Sequence, residues 1–240
     1  MAGRPYRVRL CDGAVVWKGD GLANGQVAGF STGGMALGPN GVAYVTSNTE
    51  GGNALAGVLS AYNTSSGARL WTQRLELPAS SAPSVGRLGG ASGRVSVVVG
   101  LGQNPGMPDA STALSGWTSA VVAFDAETGV PTGWRYDPPP HRKLLAEGDS
   151  LLSADHVCLP DAWTNAAIDA DGTVYIGHMS GNLFALRDKD GDGSLEEAAG
   201  EVRNYYGGRA YQGSPGIADG MLTATPCDGL HVFLQAPAAP

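Results

Sequence analysis

Three stretches of this chain are near-copies set at one spacing. They are residues 57–67 (GVLSAYNTSSG), 119–129 (SAVVAFDAETG) and 181–191 (GNLFALRDKDG), and Ala61, Ala123 and Ala185 are equivalent positions 62 residues apart. A repeat of this kind constrains architecture before any local propensity does, because each unit must bury its apolar face against the next. It also directs the search for function toward the segments that break the repeat.

The 240 residues hold 37 glycines and only 15% charged side chains. That mixture suits many short strands joined by tight turns, not a helical bundle or a disordered tail. A net charge of −7 argues against broad nucleic-acid binding, which needs a basic face. No apolar run is long enough to cross a bilayer as a helix. No charged-then-apolar leader opens the sequence, so a signal peptide is expected to be absent or already removed. Cys11, Cys158 and Cys227 are too few for a disulfide framework; they allow one pair and one free thiol, and do not define a compartment.

Each unit reads as a meander of strands. In the clearest copy residues 166–169 form one strand, Ala170, Asp171 and Gly172 turn it, residues 173–177 form the second, and residues 182–186 the third. The same hairpin recurs at 35–45, 85–99 and 216–225. A fourth strand ends in tryptophan at Trp17, Trp71 and Trp134, whereas the third full copy has Gly193 to Glu197 in that place. The recurrent tryptophans are expected to pack between neighbouring units.

Four strands per unit, Asp-Gly turns and a closing Gly-x-x-x-Trp resemble the repeats of the pyrroloquinoline-quinone-type (quinoprotein-like) β-propellers, most closely in AVVAFDAETGVPTGW and AAIDADGTVYIGHMSGNLFAL. The resemblance covers nearly the whole chain and implies a fold, not by itself a cofactor. It implies an all-β propeller of about four four-stranded antiparallel blades in a single domain over 1–240. Strands in 6–17 would complete a blade; full blades follow at 24–71, 81–134 and 162–197, with a partial blade at 211–235. Pairing the N- and C-terminal strands would close a ring of four with one strand to spare. The alternatives are a slice of a larger ring, or a ring shared by two chains.

One segment carries strong chemistry. Asp188, Asp190, Asp192 and Glu196 occupy positions 1, 3, 5 and 9 of a loop with Gly193 at position 6 and an apolar Leu195 at position 8. Ca²⁺ takes six to eight oxygens, and alternating acids around a glycine turn deliver several to one point. The carbonyl of Ser194 and the carboxylate of Glu196 would complete the shell. The loop departs from the EF-hand pattern at position 12, which is Ala199, and follows a strand rather than a helix. It is closer to the Ca²⁺ hairpin loops of integrin-type propellers, and Glu197 or Glu201 would supply a missing oxygen. A structural Ca²⁺ is the expected cofactor. The bland reading is an acidic, solvated turn. The Ca²⁺ loop slightly favours a place outside the cytosol or in an organelle lumen.

Other constellations are weaker. Asp155, His156, Cys158 and Asp161 could ligate zinc by type, but the His-x-Cys spacing matches no common ligand pair; a solvated loop with one buried thiol is preferred. His178 and His231 read as ordinary sheet histidines. No nucleophile elbow, zinc-protease helix or phosphate loop occurs. Trp163, Thr164 and Asn165, with Tyr211, Gln212 and Ser214, open the innermost strands of two blades and are expected at the rim of a channel, where they would hold a ligand or ordered water.

The preferred function is a non-catalytic scaffold that is a protein-interaction or structural subunit of a larger assembly. It would meet protein partners through the long insertions 47–56, 101–116 and 135–161, which interrupt the repeats. The alternatives are a quinone-dependent dehydrogenase, for which the chain is short and lacks an adjacent cysteine pair, and a carbohydrate-binding propeller using Trp117, Trp163 and Tyr211.

Overall fold

The structure is a computed structural model and describes residues 4–19, 33–48, 56–103, 116–149, 158 and 160–235. Seventeen strands are present among them, and the one helical element is a 3-10 turn at Gly90–Ser92. A hairpin of β1 (Tyr6–Val8) and β2 (Val15–Lys18) comes first. Three four-stranded antiparallel meanders follow. The first is β3 (Met35–Leu37), β4 (Val42–Asn48), β5 (Gly57–Asn63) and β6 (Arg69–Arg74). The second is β7 (Ser84–Arg87), β8 (Val95–Gly102), β9 (Ser119–Asp125) and β10 (Pro131–Tyr136). The third is β11 (Ala167–Ile168), β12 (Val174–Gly177), β13 (Asn182–Leu186) and β14 (Val202–Tyr206). A three-stranded sheet of β15 (Tyr211–Ala218), β16 (Met221–Pro226) and β17 (His231–Leu234) ends the order.

The sheets stack face to face in sequence order, with the innermost strands β3, β7, β11 and β15 meeting in turn. This is why the middle strands are apolar at successive positions. On β8, Val97, Val99 and Leu101 enter a core shared with Tyr44, Leu59 and Ala61 of the first sheet. Val98 points the other way, into a core with Trp163, Ile176, Phe184 and Leu186. Alternation of period two, buried on both faces, yields an unbroken hydrophobic run.

The tryptophans mark the seams. A Cβ on Gly67 would lie 2.7 Å from Trp17 Cδ2, and one on Gly129 would lie 2.6 Å from Trp71 Cε3. Both glycines have positive φ, 74° and 75°, so they satisfy a left-handed turn and a flat aromatic contact at once. Each turn is also capped from within: Asn63 Oδ1 accepts the amides of Ser65 and Ser66, and Asp125 Oδ1 those of Glu127 and Thr128.

Two expectations need correction. The fourth strand of the third sheet is Val202–Tyr206, not residues 193–197. The acidic loop lengthens the β13–β14 connection and delays the strand. Among the described residues the N- and C-terminal strands are not paired, β1–β2 and β15–β17 being separate sheets. Trp17 gives β1–β2 the place of third and fourth strands in a unit. As β17 is already a third strand, merging the two ends would duplicate that position.

Both end sheets carry exposed apolar side chains: Tyr6, Val8, Val15 and Val16 at one end, Ile217, Met221, Val232 and Leu234 at the other. Leu37 shows the reason. Its equivalent in the third sheet, Ile168, sits against Gly86 of the preceding sheet, where a Cβ would lie 2.9 Å from Ile168 Cδ1. Among the described residues Leu37 has no such strand before it, and it is 70% exposed.

A disulfide joins Cys158 to Cys227, whose Cα atoms are 5.9 Å apart, and Cys11 is free and exposed. The thiol of the weak zinc constellation is thus already bonded; Asp155 and His156 lie outside the described residues.

Candidate functional site

The acidic loop is folded around its own amides. Asp188 accepts from Gly191 N through Oδ1 (2.7 Å) and from Gly193 N through Oδ2 (3.1 Å). Asp190 Oδ1 accepts from Asp192 N, and Asp192 Oδ1 from Ser194 N. Short carboxylates bonding to amides ahead of them hold a turn tight and keep the acids on its inner side. Leu195 is buried in the core shared by the second and third sheets and anchors the loop from below. Above it, Arg135 N donates to Gly193 O and Leu195 N to Arg135 O, a parallel bridge between Ser194 and β10. Gly193 is required here, because a Cβ would meet the Gly133 carbonyl carbon at 2.9 Å and φ is 87°.

Glu201 completes the arrangement. It is 2% exposed, accepts Lys189 N at 2.7 Å and Glu196 N at 3.1 Å, and these amides hold its carboxyl below the usual carboxylate range. One oxygen each of Asp188, Asp190 and Glu201 lie within 4.8 Å of one another. Oxygens that share a Ca²⁺ at 2.3–2.6 Å stand no farther apart than about 5 Å. Among the described residues this is the one group of three such side chains so placed. Asp192 and Glu196 do not belong to it, and Ser194 is exposed. Of the residues expected from the sequence to hold Ca²⁺, the structure brings Asp188 and Asp190 together, and with them Glu201, which the sequence offered only as a source of a missing oxygen. Its signal was weak because it falls at position 14, outside the loop pattern.

The expected channel-rim residues separate into two groups. Trp163 is 2% exposed, donates Nε1–H to Leu101 O, and lies 4.3 Å from the His178 ring. Thr164 is buried and accepts from Gly177 N. Tyr211 is 1% exposed, its hydroxyl proton held up to about 12 by burial. These three are seams between sheets, not faces open to a ligand, and Trp117 is equally buried. Asn165 Oδ1 accepts from Ala82 N and ties the third sheet to the second. Gln212 and Ser214 are exposed. A sugar would find no aromatic face at Trp117, Trp163 or Tyr211.

His178 is the buried titratable group at the same seam. Burial first, and His141 second, push it down to about 3, so it is neutral near pH 7.

Successive four-stranded sheets, stacked through a Trp-on-Gly seam, define a β-propeller of the PQQ-like type. The family model described as outer membrane protein assembly factor BamB matches residues 6–225, and the chain belongs to that family. A comparison with curated proteins finds no match. Among solved structures, quinohemoprotein alcohol dehydrogenase from Comamonas testosteroni is 19% identical with a TM-score of 0.54, over 97% of this chain and 40% of that one. A protein of unknown function from Bacteroides caccae is 10% identical with a TM-score of 0.43, over 90% of this chain and 58% of that one. The chain therefore spans less than two thirds of either neighbour's length. The likeness to the dehydrogenase concerns the fold.

Proposed function

We propose that this chain is a non-catalytic propeller scaffold, a protein-interaction or structural subunit of a larger assembly. The observation that carries the reading is the pair of end sheets, whose large apolar side chains are 38–74% exposed at Ile217, Met221, Val232 and Leu234, and 45–60% at Tyr6, Val8, Val15 and Val16. Large apolar side chains exposed in number on one sheet mark candidate sites of protein contact. Membership of a family described by an assembly factor points the same way. The insertions 47–56, 101–116 and 135–161 are further contact candidates, although 49–55, 104–115, 150–157 and 159 lie outside the described residues. Affinity purification of the intact chain followed by mass spectrometry tests the reading. A partner should be recovered and should be lost when 104–115 and 150–157 are both deleted; retention after both deletions refutes the loops as the contact.

The loop from Asp188 to Glu201 is proposed to take a structural Ca²⁺. Asp188, Asp190 and Glu201 would be its core ligands, with Asp192, the Ser194 carbonyl and Glu196 joining directly or through water. The ion would clamp the β13–β14 connection where it bridges to β10. Calorimetric melting should rise with Ca²⁺ and fall with chelator; an identical melting temperature in both would remove the ion from the reading.

A further inference from the structure

We infer that the Cys158–Cys227 disulfide is the fastening of the C-terminal sheet, so that a dithiol reductant frees β15–β17 while the first three sheets stay folded. The sheet has its hydrogen bonds and its disulfide to the rest of the chain at one end, and the rings of His231 and Phe233 pack on Tyr205 of β14. Its own core is small: Tyr211 and Ala224 close on Leu183, with Leu222 and Phe233 at the margin. Its backbone bonds to the rest of the chain gather at the start of β15, from Ala210 N to Glu147 O (2.9 Å) and from Tyr211 N to His178 O (3.3 Å). Arg209 Nη1 adds a bond to Gly148 O. Beyond Pro215 the strand is exposed, as are Met221, Val232 and Leu234. By contrast β8 and β9 are buried along nearly their whole length. A three-stranded sheet with so little apolar burial is a marginal unit, and such units open first.

The disulfide changes that. Cys158 is 4% exposed and sits in the core shared by the second and third sheets; Cys227 follows β16, donates its N–H to Ala210 O beside the start of β15, and packs at the margin of that same core. The bond closes a span of 69 residues and adds a covalent tie to that core at the end of the sheet where the hydrogen bonds already gather. Cross-links across long spans restrict the open state most strongly. Reduction needs two electrons and two protons. A dithiol supplies both: its thiolate attacks Cys227 Sγ, the less buried sulfur, Cys158 leaves as a thiolate and is protonated, and the second thiol of the reductant closes a new disulfide and frees the Cys227 thiol. The opened sheet would uncover Leu183 and Tyr211.

Hydrogen exchange of the full chain, with and without a dithiol reductant, tests the inference. Amides of 211–234 should exchange at least tenfold faster in the reduced protein and in the Cys158→Ser/Cys227→Ser variant, with 42–48 and 95–102 unchanged. Iodoacetamide should label Cys11 alone before reduction and all three cysteines after it. Labelling of all three without reductant overturns the inference. So does unchanged exchange at 211–234, and so does loss of protection spread equally over the first sheets.

Discussion

His178 Nε2 lies 3.0 Å from the Ser119 hydroxyl, in a contact shut off from solvent between the second and third sheets. Nδ1 lies 2.7 Å from the Ser180 hydroxyl, and the Trp163 ring covers the imidazole face. A serine beside a histidine is the start of a nucleophile only where a substrate can reach it. Here neither can be reached, and the pair fastens two sheets.

The pair has a consequence for acid stability. The folded pKa of His178 is depressed to about 3, so the unfolded chain binds the proton first as pH falls below about 6.5. Stability should therefore decline between pH 6.5 and 3, at a rate on the order of 1 kcal/mol per pH unit from this group. Denaturant titrations across that range should show a shallower slope for His178→Gln than for the wild type.

The Trp-on-Gly seams predict a graded glycine series. Gly220 has φ 67° and open space around its missing Cβ, so Gly220→Ala should cost only the left-handed strain, about 1–2 kcal/mol. Gly129→Ala meets the same strain and drives a Cβ into the Trp71 ring, so its loss of stability should be the larger. Equal losses by chemical denaturation would remove the ring from the account.

Leu37 and Ile168 are equivalent positions with different surroundings. Ile168→Ala should lower stability by about 2 kcal/mol, since it empties a packed site on Gly86. Leu37→Ala should change it by about 0.5 kcal/mol or less in the isolated chain, because that side chain is already in water. Thermal melts of the two variants make the comparison.

Glu201 and Asp190 should respond differently to metal. Glu201→Gln weakens the acceptor for two backbone amides and should lower the melting temperature with or without Ca²⁺. Asp190 is exposed and bonds one amide, so Asp190→Asn should leave the metal-free melting temperature near the wild-type value and blunt only the rise on adding Ca²⁺. Parallel scans in chelator and in Ca²⁺ separate the two.

The repeat carried most of the fold into view. Residues 57–67 and 119–129 align because both must fill one strand and one Asx-capped turn, and the structure gives them the same geometry down to Asn63 and Asp125. The third copy misled because it lacks the tryptophan that marks the fourth strand in the other units, and the acidic loop delays that strand to Val202–Tyr206. Val202–Tyr206 carries no mark of its own that separates it from other alternating segments. Trp163 and Tyr211 look like rim residues in a sequence, because nothing in their neighbours tells which side of a short inner strand faces an adjoining sheet. Glu201 and the Cys158–Cys227 pair depend on contacts between residues distant in the chain, which spacing does not encode.

The bridge between Ser194 and Arg135 sets the third seam apart from the two before it. An aromatic ring on a glycine tolerates sliding, whereas a pair of backbone hydrogen bonds fixes register as a key fixes a shaft. Whatever reshapes the loop from Asp188 to Glu201 must therefore turn β10 with it.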